Sequence, residues 1–292
     1  MLLRWWKWGP VRAVRLCCVA YLVVMLLLMI NEESMIYFPP SHAPADWENP
    51  GLEVEDAHFT SADGTRLHGW YVEHPQPKAH VLLCHGNAED VAYLAPLLRY
   101  YRDELHCSAL AWDYRGYGQS EGAPEERGIL EDGRAAQAWL AKRAGIRPQD
   151  VVLVGRSLGG GVAVDAAANQ GARGLVLERT FTSMPDAAAI HFPWLPVRLL
   201  MRTQYNSLEK IGRYRGPLLV SHGTQDEVIP YELGQRLFDA SPSDPKTFVS
   251  ESGLGHNDGH SREYELALSK FLHELPPLPS PHAAAEPLPA DE

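Results

Sequence analysis

The chain has 292 residues, which is enough for one large α/β domain, and no internal period indicates a solenoid or a propeller. With 45% hydrophobic and 22% charged residues, the composition excludes a disordered or fibrous protein. The net charge is −11, and the first 30 residues hold four cations and no carboxylate, so the remainder carries −15. An acidic body of this kind argues against nucleic acid as a partner.

The N-terminus is first basic and then apolar. Leu16 to Ile30 is an almost uninterrupted apolar run, preceded by cations and by tryptophans that suit a membrane interface: Arg4, Trp5, Trp6, Lys7, Trp8, Arg12 and Arg15. A full span needs about 20 residues, and residues 11–30 supply them if the two nearest arginines reach back to the interface. The pattern predicts an uncleaved anchor over residues 1–30, with a cleaved signal peptide as the alternative. The positive-inside rule then places the N-terminus in the cytoplasm and the body outside it.

After the anchor, residues 31–50 contain prolines and predict a stalk without a helix, and residues 51–275 alternate strand and helix. The first two strands alternate apolar and polar residues around an Ala62-Asp63-Gly64 turn, which predicts an antiparallel hairpin. The later strands are continuous apolar runs, typical of parallel strands covered on both faces. The eight predicted strands are Glu53–Thr60, Arg66–Glu73, Ala79–Cys84, Ser108–Trp112, Val151–Val154, Gly174–Leu177, Pro217–Ser221 and Lys246–Val249.

Helical patterns lie between these strands, near Val91–Arg102, Glu125–Lys142, Leu158–Asn169, Tyr231–Asp239 and Ser261–His273. Residues 180–213 are more apolar and less periodic than a connecting helix requires; we interpret them as a short cap between the sixth and seventh strands, with core packing as the alternative. Residues 276–292, rich in proline and alanine, predict a disordered tail. The whole predicts an α/β fold with a mostly parallel eight-stranded sheet, an antiparallel start and helices on both faces.

The segment Gly155 to Gly160 reads GRSLGG and directly follows the apolar run Val151 to Val154. A G-x-S-x-G pattern between a buried strand and a helix is the nucleophile elbow, in which the serine has a strained backbone and an exposed hydroxyl. A five-residue pattern also arises by chance, so Ser157 needs partners elsewhere in the chain.

Two downstream segments supply such partners. Asp226 follows the seventh strand in HGTQDEVIP, and His256 follows the eighth strand in GLGHND. A serine hydroxyl needs a base to remove its proton, and the base needs an acid that orients it. The chain order Ser157, Asp226, His256 is that of an α/β-hydrolase, so these residues are the predicted nucleophile, acid and base.

Other residues of the same types are alternatives. His85 or His260 could act as the base, and Glu178 could act as the acid, but their positions favour structural roles. His222 is expected to pack beside the acid loop. Arg156 is expected to face solvent or a loop carboxylate.

An oxyanion hole requires preorganised donors. The backbone N–H of Leu158 is the first candidate because it follows the nucleophile, and the second should come from the loop His85 to Ala88, with Asn87 favoured over Ala88. The sequence has no P-loop, no dinucleotide fingerprint, no HExxH and no C-x-x-C, so we expect no cofactor and no metal.

The segments CHGNAED, DYRGYGQSEG, GRSLGG, HGTQDEVIP and GHND resemble the α/β-hydrolase superfamily. More closely, they resemble its membrane-anchored alpha/beta-hydrolase-domain-containing proteins of types thirteen and seventeen, over roughly Tyr37 to Leu275. The resemblance implies a serine hydrolase acting on esters or thioesters, and type seventeen members remove acyl chains from cysteine. It also implies that Asp113 and Arg115 brace their loop. The chain lacks the cysteine-rich N-terminal region of type seventeen, which favours the comparison with type thirteen.

The sequence therefore predicts a membrane-anchored serine hydrolase that takes a small-molecule or lipid-like acyl substrate through an acyl-serine intermediate. Phe192, Trp194 and Leu195 in the cap favour an apolar acyl group. The alternatives are a serine peptidase or a haloperoxidase-like perhydrolase of the same fold, and, from another class, a noncatalytic membrane-tethered binding protein.

Overall fold

The structure, a computed structural model, describes residues 9–40 and 52–278. Within these residues, eight strands are present where eight were predicted, and their ends differ from the prediction by at most two residues. The strands are β1 Glu55–Thr60, β2 Arg66–Val72, β3 His80–Cys84, β4 Ser108–Trp112, β5 Val152–Arg156, β6 Gly174–Glu178, β7 Leu218–Gly223 and β8 Lys246–Glu251.

The strands form one sheet in the order β1-β2-β4-β3-β5-β6-β7-β8. β2 pairs antiparallel with β1 and with β4, and all other neighbours are parallel. The predicted α/β-hydrolase fold with an antiparallel start is confirmed. Because β5, β7 and β8 run in the same direction, the loops that follow them meet at one edge of the sheet.

Ten α-helices accompany the strands within the part of the chain that the structure describes. They are α1 Gly9–Ile30, α2 Glu32–Ile36, α3 Ala95–Asp103, α4 Glu126–Ala144, α5 Leu158–Gln170, α6 Met184–His191, α7 Val197–Leu200, α8 Ser207–Lys210, α9 Tyr231–Ala240 and α10 Arg262–Glu274. Alternate strand residues face opposite sides, so two apolar layers form. One layer packs the sheet against α4, α5 and α9, and the other packs it against α3 and α10.

The helix predicted at Val91–Arg102 begins later, at Ala95. Pro96 lies in the first turn of this helix, where its missing N–H costs nothing. In a helix that began at Val91, the same proline would be an interior residue and would remove a hydrogen bond. The predicted start is therefore wrong by four residues, because the proline sets the boundary.

The segment predicted to be a helix-free stalk, residues 31–50, differs from that prediction where it is described. Glu32–Ile36 is helical, and Tyr37 is buried in the main core. Residues 41–50 lie outside the described residues, as do residues 279–292 of the predicted tail. The described part of this segment thus packs on the domain, because Tyr37 provides an apolar ring and Glu32 a hydrogen-bonding carboxylate.

The predicted cap between the sixth and seventh strands is present as α6, α7 and α8, followed by a 3-10 turn at Ile211–Arg213. Ser183 caps the first of these helices through its side chain, which accepts from the N–H of Asp186. The cap therefore lies directly after the end of β6, beside the serine strand.

The turn from β5 into α5 depends on two glycines. A Cβ on Gly155 would lie 2.4 Å from the carbonyl oxygen of Gly159, and a Cβ on Gly159 would lie 2.1 Å from the carbonyl oxygen of Cys84. These backbones approach too closely for any side chain. The serine between the two glycines is therefore held against β3.

Gly159→Ala is expected to lower the free energy of unfolding by about 3 kcal/mol, because the backbone of β3 must move to admit the methyl group. Thermal unfolding in detergent, followed by tryptophan fluorescence, measures the change. Gly212→Ala is the matched control, since a Cβ there meets no atom within 4 Å. Equal unfolding temperatures for the two variants would contradict the prediction.

Candidate active site

Ser157 lies in the turn between β5 and α5 with φ 53° and ψ −117°, the strained conformation that the elbow pattern predicts. Two contacts with the chain after β6 stabilise it. The N–H of Ser157 donates to the carbonyl oxygen of Glu178 at 2.9 Å, and the Thr180 hydroxyl donates to the carbonyl oxygen of Ser157 at 2.8 Å. The end of β6 thus fixes the serine backbone.

Ser157, His256 and Asp226 form one hydrogen-bonded chain. Nε2 of His256 lies 3.0 Å from the Ser157 hydroxyl oxygen, and Nδ1 of the same ring lies 2.8 Å from Oδ2 of Asp226. The structure brings together the three residues that the sequence predicts, each from the loop after a different strand. This is the geometry of a nucleophile, a base and an orienting acid.

The surroundings of Asp226 favour its ionised form. Its Oδ1 accepts hydrogen bonds from the N–H groups of Val228 at 2.9 Å and Ile229 at 2.8 Å. Burial opposes ionisation, but hydrogen bonds from His222, His256 and the backbone of Ile229 outweigh it and lower the pKa of this carboxyl. An ionised Asp226 accepts the proton on Nδ1 of His256, which leaves Nε2 free to accept from Ser157.

His222 is a fully buried neighbour of the acid. Its Nε2 donates to the carbonyl oxygen of Ile229 at 2.7 Å and lies 3.3 Å from Oδ2 of Asp226. The expectation that this histidine packs beside the acid loop is confirmed.

Two arginines hold the loop that carries His256. Arg179, fully buried with φ 48°, donates to the carbonyl oxygens of His256 at 2.9 Å and Gly259 at 3.3 Å. Arg156 donates to the same His256 oxygen at 3.2 Å and forms an ion pair with Glu89, so it faces a loop carboxylate as expected. Sequence reasoning missed Arg179, although a charged pair at the end of the apolar strand β6 was an available signal.

The buried residues Glu178, Glu251 and Tyr264 form a cluster with the partly exposed His260 beside Arg179. His260 lies 3.1 Å from Glu251 and 3.4 Å from Glu178, its ring stacks on Tyr264 at 4.1 Å, and Arg179 pairs with Glu251 at 3.3 Å. Neither His260 nor Glu178 belongs to the Ser157 hydrogen-bonded chain, so both have the structural roles favoured by the sequence.

Charge stabilises this cluster. Burial alone would lower the pKa of His260, but the charges and hydrogen bonds of Glu178 and Glu251 outweigh it and raise the pKa to about 9. Burial would raise the pKa of Glu251, but its hydrogen bonds to His260 and to the N–H of Ser261 lower it to about 2. The cluster therefore keeps a protonated histidine between two carboxylates at neutral pH.

The remaining predicted residues are structural. His85 is buried, stacks on Tyr114 at 3.9 Å, and has Nδ1 2.7 Å from the carbonyl oxygen of Gly86, so it does not bind Ser157. Asp113 accepts from the N–H of Val91 at 3.0 Å. Arg115 pairs with Asp132 at 2.7 Å. Both of these charged residues brace their loop, as the resemblance implied.

The predicted oxyanion loop is organised by the Asn87 side chain. Its Oδ1 accepts from the Tyr117 hydroxyl at 2.7 Å, from the N–H of Phe38 at 3.0 Å and from the N–H of Ala88 at 3.1 Å. The N–H of Ala88 is thus used within the loop. Within the described residues the N–H of Asn87 has no acceptor, and Leu158, the first residue of α5, has no intrahelical acceptor for its own.

Ser157, His256, Asn87 and Leu158 all line one cavity of about 530 Å³, a size typical of small-molecule sites. Most of its other walls are apolar side chains from the cap and from α1: Met25, Leu28, Met29, Phe181, Met184, Phe192, Leu195, Val197, Leu200 and Met201. Two carboxylates, Glu32 and Glu89, also line it. The candidate catalytic residues therefore lie at one end of a cavity whose walls are largely apolar.

The free energy of unfolding is expected to fall by on the order of 2 kcal/mol between pH 6.5 and 9, because the raised pKa of His260 stabilises the fold only while the ring stays protonated. His260→Gln should remove this slope, as followed by thermal unfolding at each pH. His273→Gln, an exposed residue near the end of the same helix α10, is the control and should keep it. An unchanged slope in His260→Gln would contradict the prediction.

Comparison with known families agrees with the fold. The family described as "Serine aminopeptidase, S33" (Hydrolase_4) matches residues 75–202. Among curated proteins, the uncharacterized protein Rv2307c of Mycobacterium tuberculosis is 38% identical and covers 86% of this chain and 90% of its own length. Alpha/beta hydrolase domain-containing protein 17B of Homo sapiens is 31% identical, covering 79% of this chain and 80% of its own length.

Solved structures show the same architecture. The Pyrococcus furiosus esterase Pf2001 superposes with a TM-score of 0.63 at 18% identity, covering 82% of this chain and 98% of its own. An acetyl xylan esterase from Paenibacillus sp. R4 gives 0.61 at 19% identity, covering 84% and 99%. These structural likenesses show the fold alone, whereas the sequence relatives show the family. The chain belongs to the α/β-hydrolase superfamily and is a hydrolase by family.

Proposed function

We propose that this protein is a membrane-anchored serine hydrolase that cleaves carboxylic ester or thioester bonds through an acyl-serine intermediate. The observation that carries the proposal is the hydrogen-bonded chain from Ser157 through His256 to Asp226 at an apolar cavity. The distances of 3.0 Å and 2.8 Å allow proton transfer without rearrangement.

In the proposed reaction, Nε2 of His256 takes the Ser157 proton while the serine oxygen attacks the carbonyl carbon of the substrate. The N–H groups of Leu158 and Asn87 bind the resulting oxyanion, a contribution on the order of 3 kcal/mol for each donor. His256 then gives its proton to the leaving alcohol or thiol. Water, activated by the same imidazole, releases the acid from the serine.

The cavity favours an ester or thioester over the amino-terminus of a peptide. An aminopeptidase needs a carboxylate free to bind the substrate ammonium group. Of the two carboxylates that line the cavity, Glu89 pairs with Arg156, and Glu32 accepts from the N–H groups of Arg202 at 3.0 Å and Thr203 at 2.7 Å. The apolar walls suit an acyl chain instead. Of the three cap residues on which the sequence based this prediction, Phe192 and Leu195 line the cavity and Trp194 does not.

The membrane part of the proposal is supported by α1. Its residues Val11–Ile30 have a mean hydropathy of 2.6, and none of the residues in their most apolar stretch is fully buried in the protein. A helix this long and apolar is able to cross a bilayer, and a signal sequence would share that property. We propose an anchor whose basic N-terminus stays in the cytoplasm, with the hydrolase domain outside it.

Ser157→Ala is expected to abolish labelling by a fluorophosphonate probe and to lower ester hydrolysis by at least about 1,000-fold, because the variant lacks the attacking oxygen. Ser252→Ala, at an exposed serine outside the site, is the matched control and should react like the wild type. Gel fluorescence and p-nitrophenyl acetate turnover are the measurements. Labelling of Ser157→Ala at the wild-type level would refute the assigned nucleophile, and a wild type that neither labels nor turns over would favour a noncatalytic binding protein.

The orientation has its own test. Proteinase K added to intact cells or spheroplasts is expected to degrade an epitope at the C-terminus of the full chain, because the domain is exposed outside the cytoplasm. A cytoplasmic marker protein that survives the treatment shows that the membranes stayed closed. Full protection of the epitope, lost only after detergent is added, would reverse the proposed topology.

A further inference from the structure

The end of α1 forms part of the cavity wall. Met25, Leu28, Met29 and Glu32 line the cavity and follow the spacing i, i+3, i+4, i+7, so they share one helical face. These side chains are half-buried or buried, whereas Leu27, on the other face, is 54% exposed. One face of the helix therefore belongs to the candidate site and the other is free to contact lipid.

Hydrogen bonds fix this face against the cap. The Glu32 carboxylate accepts from the backbone between the cap helices α7 and α8, and the Arg202 side chain donates to the carbonyl oxygen of Met29 at 3.2 Å. Nearer the N-terminus of the helix, the Tyr21 hydroxyl donates to the carbonyl oxygen of Trp194 at 3.0 Å. From Tyr21 onward the helix is thus docked on the domain and is not a free tether.

These contacts set the depth of the cap. Tyr21 precedes Ile30 by nine residues, or about 13 Å along a helix that rises 1.5 Å per residue. The hydrocarbon core of a bilayer is about 30 Å thick. If residues 11–30 span the hydrocarbon, the cap at Trp194 lies well inside it.

The cap surface fits such a position. Its exposed residues include large apolar side chains, Ile190 at 46%, Phe192 at 40%, Trp194 at 56% and Leu199 at 86% exposure, and the Trp194 ring lies 6.4 Å from that of Tyr21 on α1. Apolar groups of this size rarely cluster on a water-facing surface. Arg198, exposed among them, pairs with Asp186 at 3.0 Å. Together with the exposed face of α1, the apolar side chains form a surface suited to contact with lipid.

We propose that the cap and the second half of α1 sit together in the hydrocarbon of the bilayer, and that the substrate is a long-chain acyl ester or thioester. Its acyl chain enters the cavity directly from the bilayer, along Met25, Leu28 and Met29. The inference rests on the proposed function. Hydrolysis breaks the acyl C–O or C–S bond, consumes one water, and leaves the fatty acid in the lipid and the alcohol or thiol to depart.

The test uses the full chain in phosphatidylcholine nanodiscs, with p-nitrophenyl acetate and p-nitrophenyl palmitate as probes. Leu28→Trp, which narrows the cavity from the helix side, is expected to lower the ratio of palmitate to acetate turnover at least tenfold. Leu27→Trp places the same side chain on the lipid-facing side of the same helix. This control should keep the ratio within about twofold of the wild type.

Fluorophosphonate labelling shows whether each variant keeps a folded site. If Leu28→Trp is not labelled, Met25→Trp, one turn earlier on the same face, replaces it. This variant should lower the ratio of palmitate to acetate turnover by the same factor. Equal ratios in the cavity-facing and lipid-facing variants would overturn the inference, as would a wild type that turns over acetate but not palmitate. In both cases the proposed function would survive. A wild type that neither labels nor hydrolyses acetate would overturn the function and the inference together.

Discussion

The backbone conformation of Ser157 is the constraint on which the rest of the site depends. Its φ of 53° places a non-glycine residue in a region that costs on the order of 1–3 kcal/mol, and the surrounding structure must hold it there. Gly159 allows α5 to approach β3 so closely that the turn has no room to relax. Backbone packing thus holds Ser157 in its strained conformation, and its hydroxyl keeps a fixed direction relative to the edge of the sheet.

The end of β6 connects this turn to the other half of the site. Glu178 and Thr180 bind the backbone of Ser157, and Arg179 between them binds the carbonyl groups of the His256 loop. Three consecutive residues therefore set the position of the proposed nucleophile and of its base. Arg179 in turn pairs with Glu251 of the cluster around His260. The distance between Ser157 and the His256 ring therefore depends on this ion pair as well as on the sheet.

Much of this could be read from local patterns. Apolar–polar alternation predicted the first two strands and apolar runs predicted the other six. Parallel strands place their following loops at one edge, so Ser157, Asp226 and His256 could be grouped before any coordinates were known. Arg179 could not be assigned, because its partners lie in a loop about 80 residues later and its role depends on their carbonyl groups. The docking of Glu32 on the cap was missed for the same reason, since that contact joins residues 170 positions apart.

Because α1 is docked on the domain, the N-terminal segment is part of the candidate site. The hydrogen bonds of Glu32 and the contact between the Tyr37 and Tyr205 hydroxyls at 3.1 Å join the N-terminal segment to the domain. A shortened chain that starts after residue 36, of the kind made to ease purification, would lose the carboxylate that organises the cap and five apolar residues of the cavity wall: Met25, Leu28, Met29, Met35 and Ile36. Such a protein would keep Ser157 but lose one wall of the cavity, so the substrates that it accepts would not be those of the full chain.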